Sequence, residues 1–272
     1  MIKRVILSTN NNPDYFFYLP IVEWVWIKMG WWVDVFYTND CQGLKTMSDK
    51  TGLHLIPRID NVRTGTCAQV VRHFASNNFH DDDYLMVQDI DLIPLRAWDP
   101  DLTKSTIYGW ELTGRSFIPV HYTGMTSGKW KSLMGCTGDL KADMEREMKV
   151  NGRAYGKEWS EYWDTDWDIL TQKVTAQKGK FTFVDRGMVS LGKYQTARGR
   201  VDRCSIEVAP DGSYSWGYTL NQPDLIDAHC ENNNPSSPEK WAMIRALLIQ
   251  VFKEIPIWMD DYVLKHHNKY RK

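Results

Sequence analysis

The sequence has no excess of charge of either sign, no apolar run long enough to span a membrane, and no cysteine pair at metal-knuckle spacing. Lys and Arg number 33 against 34 Asp and Glu, a formal charge of -1, so no overall field points to nucleic acid as the main partner. The stretch from Tyr15 to Met29 is interrupted by Pro20, Glu23 and Lys28, well short of the ~20 apolar residues of a membrane span. Met1-Ile2-Lys3-Arg4 runs straight into Val5-Ile6-Leu7, with no apolar leader and no small-residue cleavage site behind it. The expectation is a soluble, cytoplasmic protein without a transmembrane segment. Five cysteines (Cys41, Cys67, Cys136, Cys204, Cys230) are an odd count and read as reduced packing thiols. Also missing are G-x-S-x-G, a Walker loop and G-x-G-x-x-G, which counts against serine hydrolases, P-loop NTPases and dinucleotide oxidoreductases.

What is present is a chain of 272 residues, 43% hydrophobic and 25% charged, ample for a sizeable core. Thirteen Trp and thirteen Tyr pack cores well and also stack on flat or ring-shaped ligands, sugars among them. Arg4 to Thr9 reads as a buried strand leading into the loop Asn10-Asn11-Asn12-Pro13, and Asp14 to Met29 as a helix closed by Gly30. Val33–Tyr37 and Leu53–Ile56 read as strands, Thr66–Asn77 as a helix, and Tyr84–Gln88 as a central strand. That alternation predicts an α/β fold with a mostly parallel central sheet flanked by helices. Past Pro100 the pattern loosens: Thr123 to Gly128 reads as a Gly-rich loop, and Asp139 to Val150 as a polar helix. Ser236-Ser237-Pro238-Glu239 supplies cap, first-turn Pro and acid for a helix over Trp241–Phe252. The basic tail Lys265 to Lys272 reads as solvated, with weak membrane-surface contact as its other use. One domain over 1–272 is expected, with a nucleotide-type half (1–99), a half carrying variable contacts (100–235), and a terminal helix and tail (236–272).

The chemistry concentrates at Asp89-Ile90-Asp91, directly after the Tyr84–Gln88 strand. Ligands bind at the carboxyl ends of strands in open α/β sheets. Alternation along a strand would turn Asp89 and Asp91 to one side, where two like charges need a cation. A hard divalent ion, Mg or Mn, with a bound diphosphate meets that need. Asp81-Asp82-Asp83, just before the strand, reads as a solvated turn.

The order of strand, Asn-rich loop, helix and apolar strand ending in Asp89-Ile90-Asp91 resembles the GT-A fold of metal-dependent nucleotide-sugar glycosyltransferases. Asp164-Thr165-Asp166-Trp167-Asp168-Ile169-Leu170 is similar to the D-Q-D-x-L segment of the family 8, glycogenin-like and lipopolysaccharide galactosyltransferase-like enzymes, and Asp227-Ala228-His229 to their late metal-binding His. The small glycosyltransferases of large algal viruses are a narrower likeness, which would place the protein in a host cytoplasm. The resemblance implies transfer of a sugar from a nucleotide-sugar, a UDP-sugar, to a hydroxyl of a glycan or glycoprotein. It implies metal ligation by Asp91 and His229, with Asp89 on the metal or the ribose, and donor contacts from Thr9, Asn10, Asn11 and Arg72. Trp167 stands where the family has Gln, so retention of configuration does not carry over, and Asp166 and Asp168 become candidate general bases. A sugar-nucleotide pyrophosphorylase and a non-catalytic carbohydrate-binding protein are the alternatives. His121-Tyr122-Thr123-Gly124 with Lys129 and Trp130 is a weaker candidate for an acceptor groove, and Asp185-Arg186-Gly187 reads as a plain turn.

Overall fold

The computed structural model describes residues 1–41, 44–45, 48–97, 99–109, 118, 120–185, 188–191, 194–203, 207–208, 214–215, 225–230 and 233–270. In chain order its strands are β1 (Lys3–Thr9), β2 (Trp32–Tyr37), β3 (Thr51–Leu55), β4 (Tyr84–Val87), β5 (Leu92–Pro94), β6 (Thr106–Gly109), β7 (Thr123–Thr126) and β8 (Thr182–Asp185). There follow β9 (Met188–Leu191), β10 (Tyr194–Ala197), β11 (Arg200–Asp202), β12 (Glu207–Val208), β13 (Tyr214–Ser215) and β14 (Asp227–His229). The α-helices are α1 (Pro13–Phe16), α2 (Leu19–Lys28), α3 (Thr64–Phe74), α4 (Ser127–Met134), α5 (Leu140–Asn151), α6 (Trp159–Tyr162), α7 (Thr165–Thr175), α8 (Pro238–Phe252) and α9 (Ile257–Tyr270).

The chain packs as two compact units that alternate along the sequence. The first comprises Met1–Asn11, Gly30–Asp89 and Asp99–Asp185; the second comprises Asn12–Met29, Ile90–Trp98 and Arg186–Lys272. Whereas the sequence suggests one domain divided after residues 99 and 235, packing gathers the chain into these interleaved units.

The first unit is built on a seven-stranded sheet of order β3-β2-β1-β4-β7-β6-β8. The β1–β2, β2–β3, β1–β4 and β6–β8 pairings are parallel, and only β7 is reversed against its neighbours. The expected mixed α/β architecture is therefore observed. Ile6, Phe36, Leu85, Val87, Ile107 and Met125 pack from the sheet into one core with Val70, Val71 and Phe74 of α3, Met144 and Met148 of α5, and Ile169 and Leu170 of α7. Val5, Leu7, Val33, Val35 and Met86, on the alternate positions, are buried as well, which is why these strands read as continuous apolar runs.

In the second unit β11 pairs in parallel with β14, which pairs antiparallel with β5. Helices α2, α8 and α9 pack through aromatic side chains. Phe17, just before α2, stacks on Tyr262 with ring centroids 6.0 Å apart and meets Trp241 edge-on at 6.5 Å. The Trp241 indole donates to Asp260 at 2.7 Å.

Several local readings are corrected. The Tyr15–Met29 stretch is two helices, because Pro20 lies in the first turn of α2 and opens a new helix. Thr123 to Gly128 is β7 running into α4, capped by Thr126. Its Gly124 is a packing glycine: an added Cβ would lie 2.5 Å from the Tyr84 hydroxyl. Asp83 is no solvated acid, since it accepts from the Ile2 N–H and Arg4 Nε at 3.0 Å each. The basic tail, read as solvated, continues α9 to Tyr270, with Lys265, Asn268, Lys269 and Tyr270 exposed as expected and His266 buried. Cys41, Cys67, Cys136 and Cys230 are free thiols; Cys204, Arg186 and Gly187 lie outside the described residues.

Candidate functional site

In the first unit, consecutive strand crossovers lead from β1 to β2 and β3 on one side, while β4 lies on the other side of β1. The carboxyl ends of β1 and β4 thus flank the point where the strand order reverses, the usual ligand crevice of a parallel sheet. Thr9, Asn10 and Asn11 end β1 there. Thr9 is buried, and its hydroxyl donates to the Asn10 carbonyl at 3.0 Å. The Asn10 side-chain amide donates to the Thr64 hydroxyl at 3.3 Å, at the start of α3. Asn11 is exposed.

At the end of β4, Asp89 is held by two basic side chains. Arg72, on α3 and only 6% exposed, places Nη1 2.5 Å from Asp89 Oδ1 and Nη2 2.8 Å from Asp166 Oδ2. The same guanidinium donates to the Gln88 carbonyl at 3.0 Å and, through Nε, to the Gln69 carbonyl at 3.2 Å. His121 Nδ1 lies 3.3 Å from Asp89 Oδ2. The turn that delivers His121 has Tyr122 in the left-handed region at φ 60°, held by its N–H on the Val87 carbonyl at 2.8 Å. Burial opposes ionisation of Asp89, yet Arg72 and His121 hold its carboxyl well below the carboxylate range. Burial pushes Asp166 up to about 6 against the pull of Arg72. Arg72 itself, disfavoured by burial, is kept charged by its two carboxylates.

Asp166 and Asp168 sit in the first turn of α7 and part company. Asp166 is 1% exposed, its Oδ1 accepting from the Trp167 N–H at 2.9 Å while Oδ2 meets Arg72. His73 Nε2 reaches the Asp166 carbonyl at 3.0 Å. Asp168 instead pairs with Arg153 at 2.8 Å, because residues two apart on a helix point to different faces. Arg153, with Tyr155, Lys157 and Glu161, lines an open cleft of about 850 Å³.

The chain passes from the first unit to the second between Asp89 and Ile90. Strand β4 ends at Val87, so the alternation expected to turn both carboxylates to one side does not operate at Asp89 and Asp91. Asp91 has partners of its own in the second unit. Its Oδ2 accepts from Arg203 Nη1 at 3.0 Å and lies 3.6 Å from His229 Nε2, and His229 Nδ1 lies 3.5 Å from Asp202 Oδ2. The three-stranded sheet makes this arrangement: Asp202 is the register partner of His229, and His229 that of Leu92, while the Cys230 N–H donates to the Asp91 carbonyl at 2.9 Å. Burial works against a charge on His229, but its hydrogen bonds to Asp202 and Asp91 raise it above the ordinary imidazole value.

Among the described residues no group of three or more His, Cys, Asp or Glu is arranged to hold a metal. Asp91 and His229 face one another, an oxygen and an imidazole of the kinds divalent ions take, with Arg203 and Asp202 as their other partners here. Asp89 has one oxygen on Arg72 and the other beside His121. The need for a cation that the acidic pair implies is met in this structure by Arg72 and Arg203.

Sequence reasoning missed Arg153, Asp202 and Arg203, and it read His121 as part of an acceptor groove where the structure sets it beside Asp89. Asp202-Arg203 carries no motif, and only the β11–β14 register brings it to His229.

No family model and no curated protein matches the chain. Among solved structures, the galactosyltransferase LgtC in complex with donor and acceptor sugar analogues is 13% identical, covering 95% of this chain and 99% of that one at a TM-score of 0.47. The apo-form glycosyltransferase GlyE of Streptococcus pneumoniae is 9% identical, covering 99% of this chain and 64% of that one at 0.48. Similarity at these levels assigns neither activity nor residue roles.

Proposed function

We propose that the chain is a glycosyltransferase moving a sugar from a nucleotide-sugar, a UDP-sugar, to a hydroxyl of a glycan or glycoprotein. The observation that carries this reading is the juxtaposition, at the switch point of the parallel sheet, of the Thr9–Asn11 loop with the Arg72–Asp89 pair. Backbone and side-chain amides at the end of β1 suit a base and ribose. Arg72, clamped by Asp89 and Asp166, would contact the donor with its orientation already fixed. Asp91 and His229 would hold the divalent ion, which supplies charge withdrawal from the departing diphosphate.

Asp166 acts through Arg72. Both of its oxygens are engaged, whereas Asp168 uses only Oδ2 with Arg153 and is partly exposed, so Asp168 stays the candidate base of the pair. A base at Asp168 would invert configuration, whereas proton transfer to the departing diphosphate on the same face would retain it.

Calorimetric titration with UDP, with and without MnCl2, followed by a panel of nucleotide-sugars, tests the reading. UDP binding that requires Mn2+ and disappears in a folded Asp91→Asn variant is expected. Glycan binding with no response to UDP or Mn2+ would mark a carbohydrate-binding protein instead.

A further inference from the structure

We propose that the cleft bordered by Asn151, Arg153, Tyr155, Lys157, Glu158 and Glu161 is a subsite for a neutral sugar ring of the acceptor. The proposal rests on the nucleotide-sugar reading above.

The cleft lies between the end of α5 and the start of α7, wholly within the first unit. Main-chain groups hold its rim. Glu161 Oε2 accepts from the N–H groups of Lys157 and Glu158 at 2.7 and 3.0 Å. Arg63 Nη2 donates to the Lys157 carbonyl at 3.0 Å, and the Arg63 guanidinium lies over the Tyr162 ring at 4.7 Å. Gly156 leaves room for Glu161 to fold back, since an added Cβ would strike the Glu161 Cβ. Lys157 and Glu158 thus keep their places through the backbone. Their side chains are exposed, and among the described residues no hydrogen bond or ion pair engages either of them.

Two series of contacts join this cleft to the crevice at the sheet. On one side Arg153 Nη1 lies 2.8 Å from Asp168 Oδ2, and Asp166, in the same turn of α7, holds Arg72. On the other, Arg63 precedes Thr64, whose hydroxyl accepts from the Asn10 amide at 3.3 Å. The cleft therefore adjoins both the candidate base and the loop suited to base and ribose.

Its chemistry selects the ligand. A volume of about 850 Å³ falls in the ~300–1,000 Å³ range of small-molecule sites. The cations Arg153 and Lys157 are balanced by Glu158 and Glu161, and Arg153 already faces Asp168, so no surplus positive charge calls for a phosphate. Hydroxyl groups both donate and accept, which suits an ammonium, a carboxylate and the Asn151 amide together. Tyr155, half-buried against the core, supplies an aromatic surface for the C–H face of a pyranose ring.

The probes are methyl glycosides of glucose, galactose, mannose and N-acetylglucosamine, with binding read by saturation-transfer NMR and UDP affinity read by calorimetry. At least one glycoside should bind the parent protein. Lys157→Ala/Glu158→Ala removes both side chains and none of the main-chain bonds, so it should weaken that glycoside ~10-fold or more at unchanged melting temperature and unchanged UDP affinity. In transfer assays the acceptor KM should rise by the same factor while the donor KM stays put, a split that a merely structural loop does not produce. If the double variant fails to fold, Lys157→Met carries the test. A parent that binds UDP but none of the four glycosides, or a glycoside affinity that neither variant moves, overturns the subsite alone. A parent that binds a glycoside through these residues but binds no UDP keeps the sugar site and overturns the nucleotide-sugar reading.

Discussion

His73 makes the fold sensitive to acid in a way that can be worked out. It is fully buried on α3. Its Nε2 donates to the Asp166 carbonyl at 3.0 Å, its Nδ1 has no hydrogen-bond partner, and its ring stacks on Trp130 at 6.0 Å. Burial first, and the neighbouring Arg72 charge second, push its pKa down to about 3. The unfolded chain, near 6.5, therefore takes up this proton first. The stability His73 contributes is complete above pH 6.5 and is lost as pH falls toward 3, at about 1.4 kcal/mol per pH unit and about 5 kcal/mol in all. Asp166 works in the opposite sense. Raised to about 6, it contributes stability below pH 4 that is lost as pH rises through 6, about 3 kcal/mol. His73→Gln removes the titration while its amide can still donate to the Asp166 carbonyl. The difference in unfolding free energy between parent and variant, from urea titrations at pH 7.5, 6.5, 5.5 and 4.5, should shrink by about 1.4 kcal/mol per unit below pH 6.5. A difference that stays constant across the series would refute the reasoning.

Three further outcomes are expected. Arg200 and Asp227 pair at 2.9 Å with side chains 3% and 0% exposed; Arg200→Met or Asp227→Asn should cost about 3–5 kcal/mol, because each strands a buried charge or its partner, and Arg200→Met/Asp227→Leu should recover much of it in the same urea assay. Gly124→Ala should lower stability by about 1–3 kcal/mol through the Tyr84 ring, with Tyr84→Leu relieving the clash in a double-mutant cycle. Asp166→Asn should weaken transfer strongly through Arg72; Asp168→Asn, with the product anomer read by NMR, tests the base role, a strong loss with an inverted product assigning it to Asp168 and a slight loss with a retained product removing it.

The sheet was legible because both of its faces are buried: Val5, Ile6 and Leu7, and likewise Tyr84 to Val87, leave no alternative to a buried strand. Asp89 and Arg72 were legible too, one at a strand end and the other on the helix leading to that strand. What the sequence hid depends on distance along the chain. His121 meets Asp89 only through a left-handed turn at Tyr122, a residue that gives no sign of positive φ. Arg203 meets Asp91 only because β5, β14 and β11 pair across more than a hundred residues. Gly124 misled for a related reason, since its partner is the Tyr84 ring across the β4–β7 ladder rather than a neighbour in sequence.

The alternation of the two units constrains how the chain can be synthesised and cut. The first unit lacks β8 until residue 185 has been made, and by then two segments of the second unit, Asn12–Met29 and Ile90–Trp98, have emerged ahead of the Arg186–Lys272 segment that completes it. Helix α2 must wait for α8 and α9 before Phe17 has Trp241 and Tyr262 to cover it. No single stretch of the gene encodes either unit, so neither can be expressed as a continuous fragment. A polypeptide released early would display α2 with its aromatic face bare, a natural handle for chaperones.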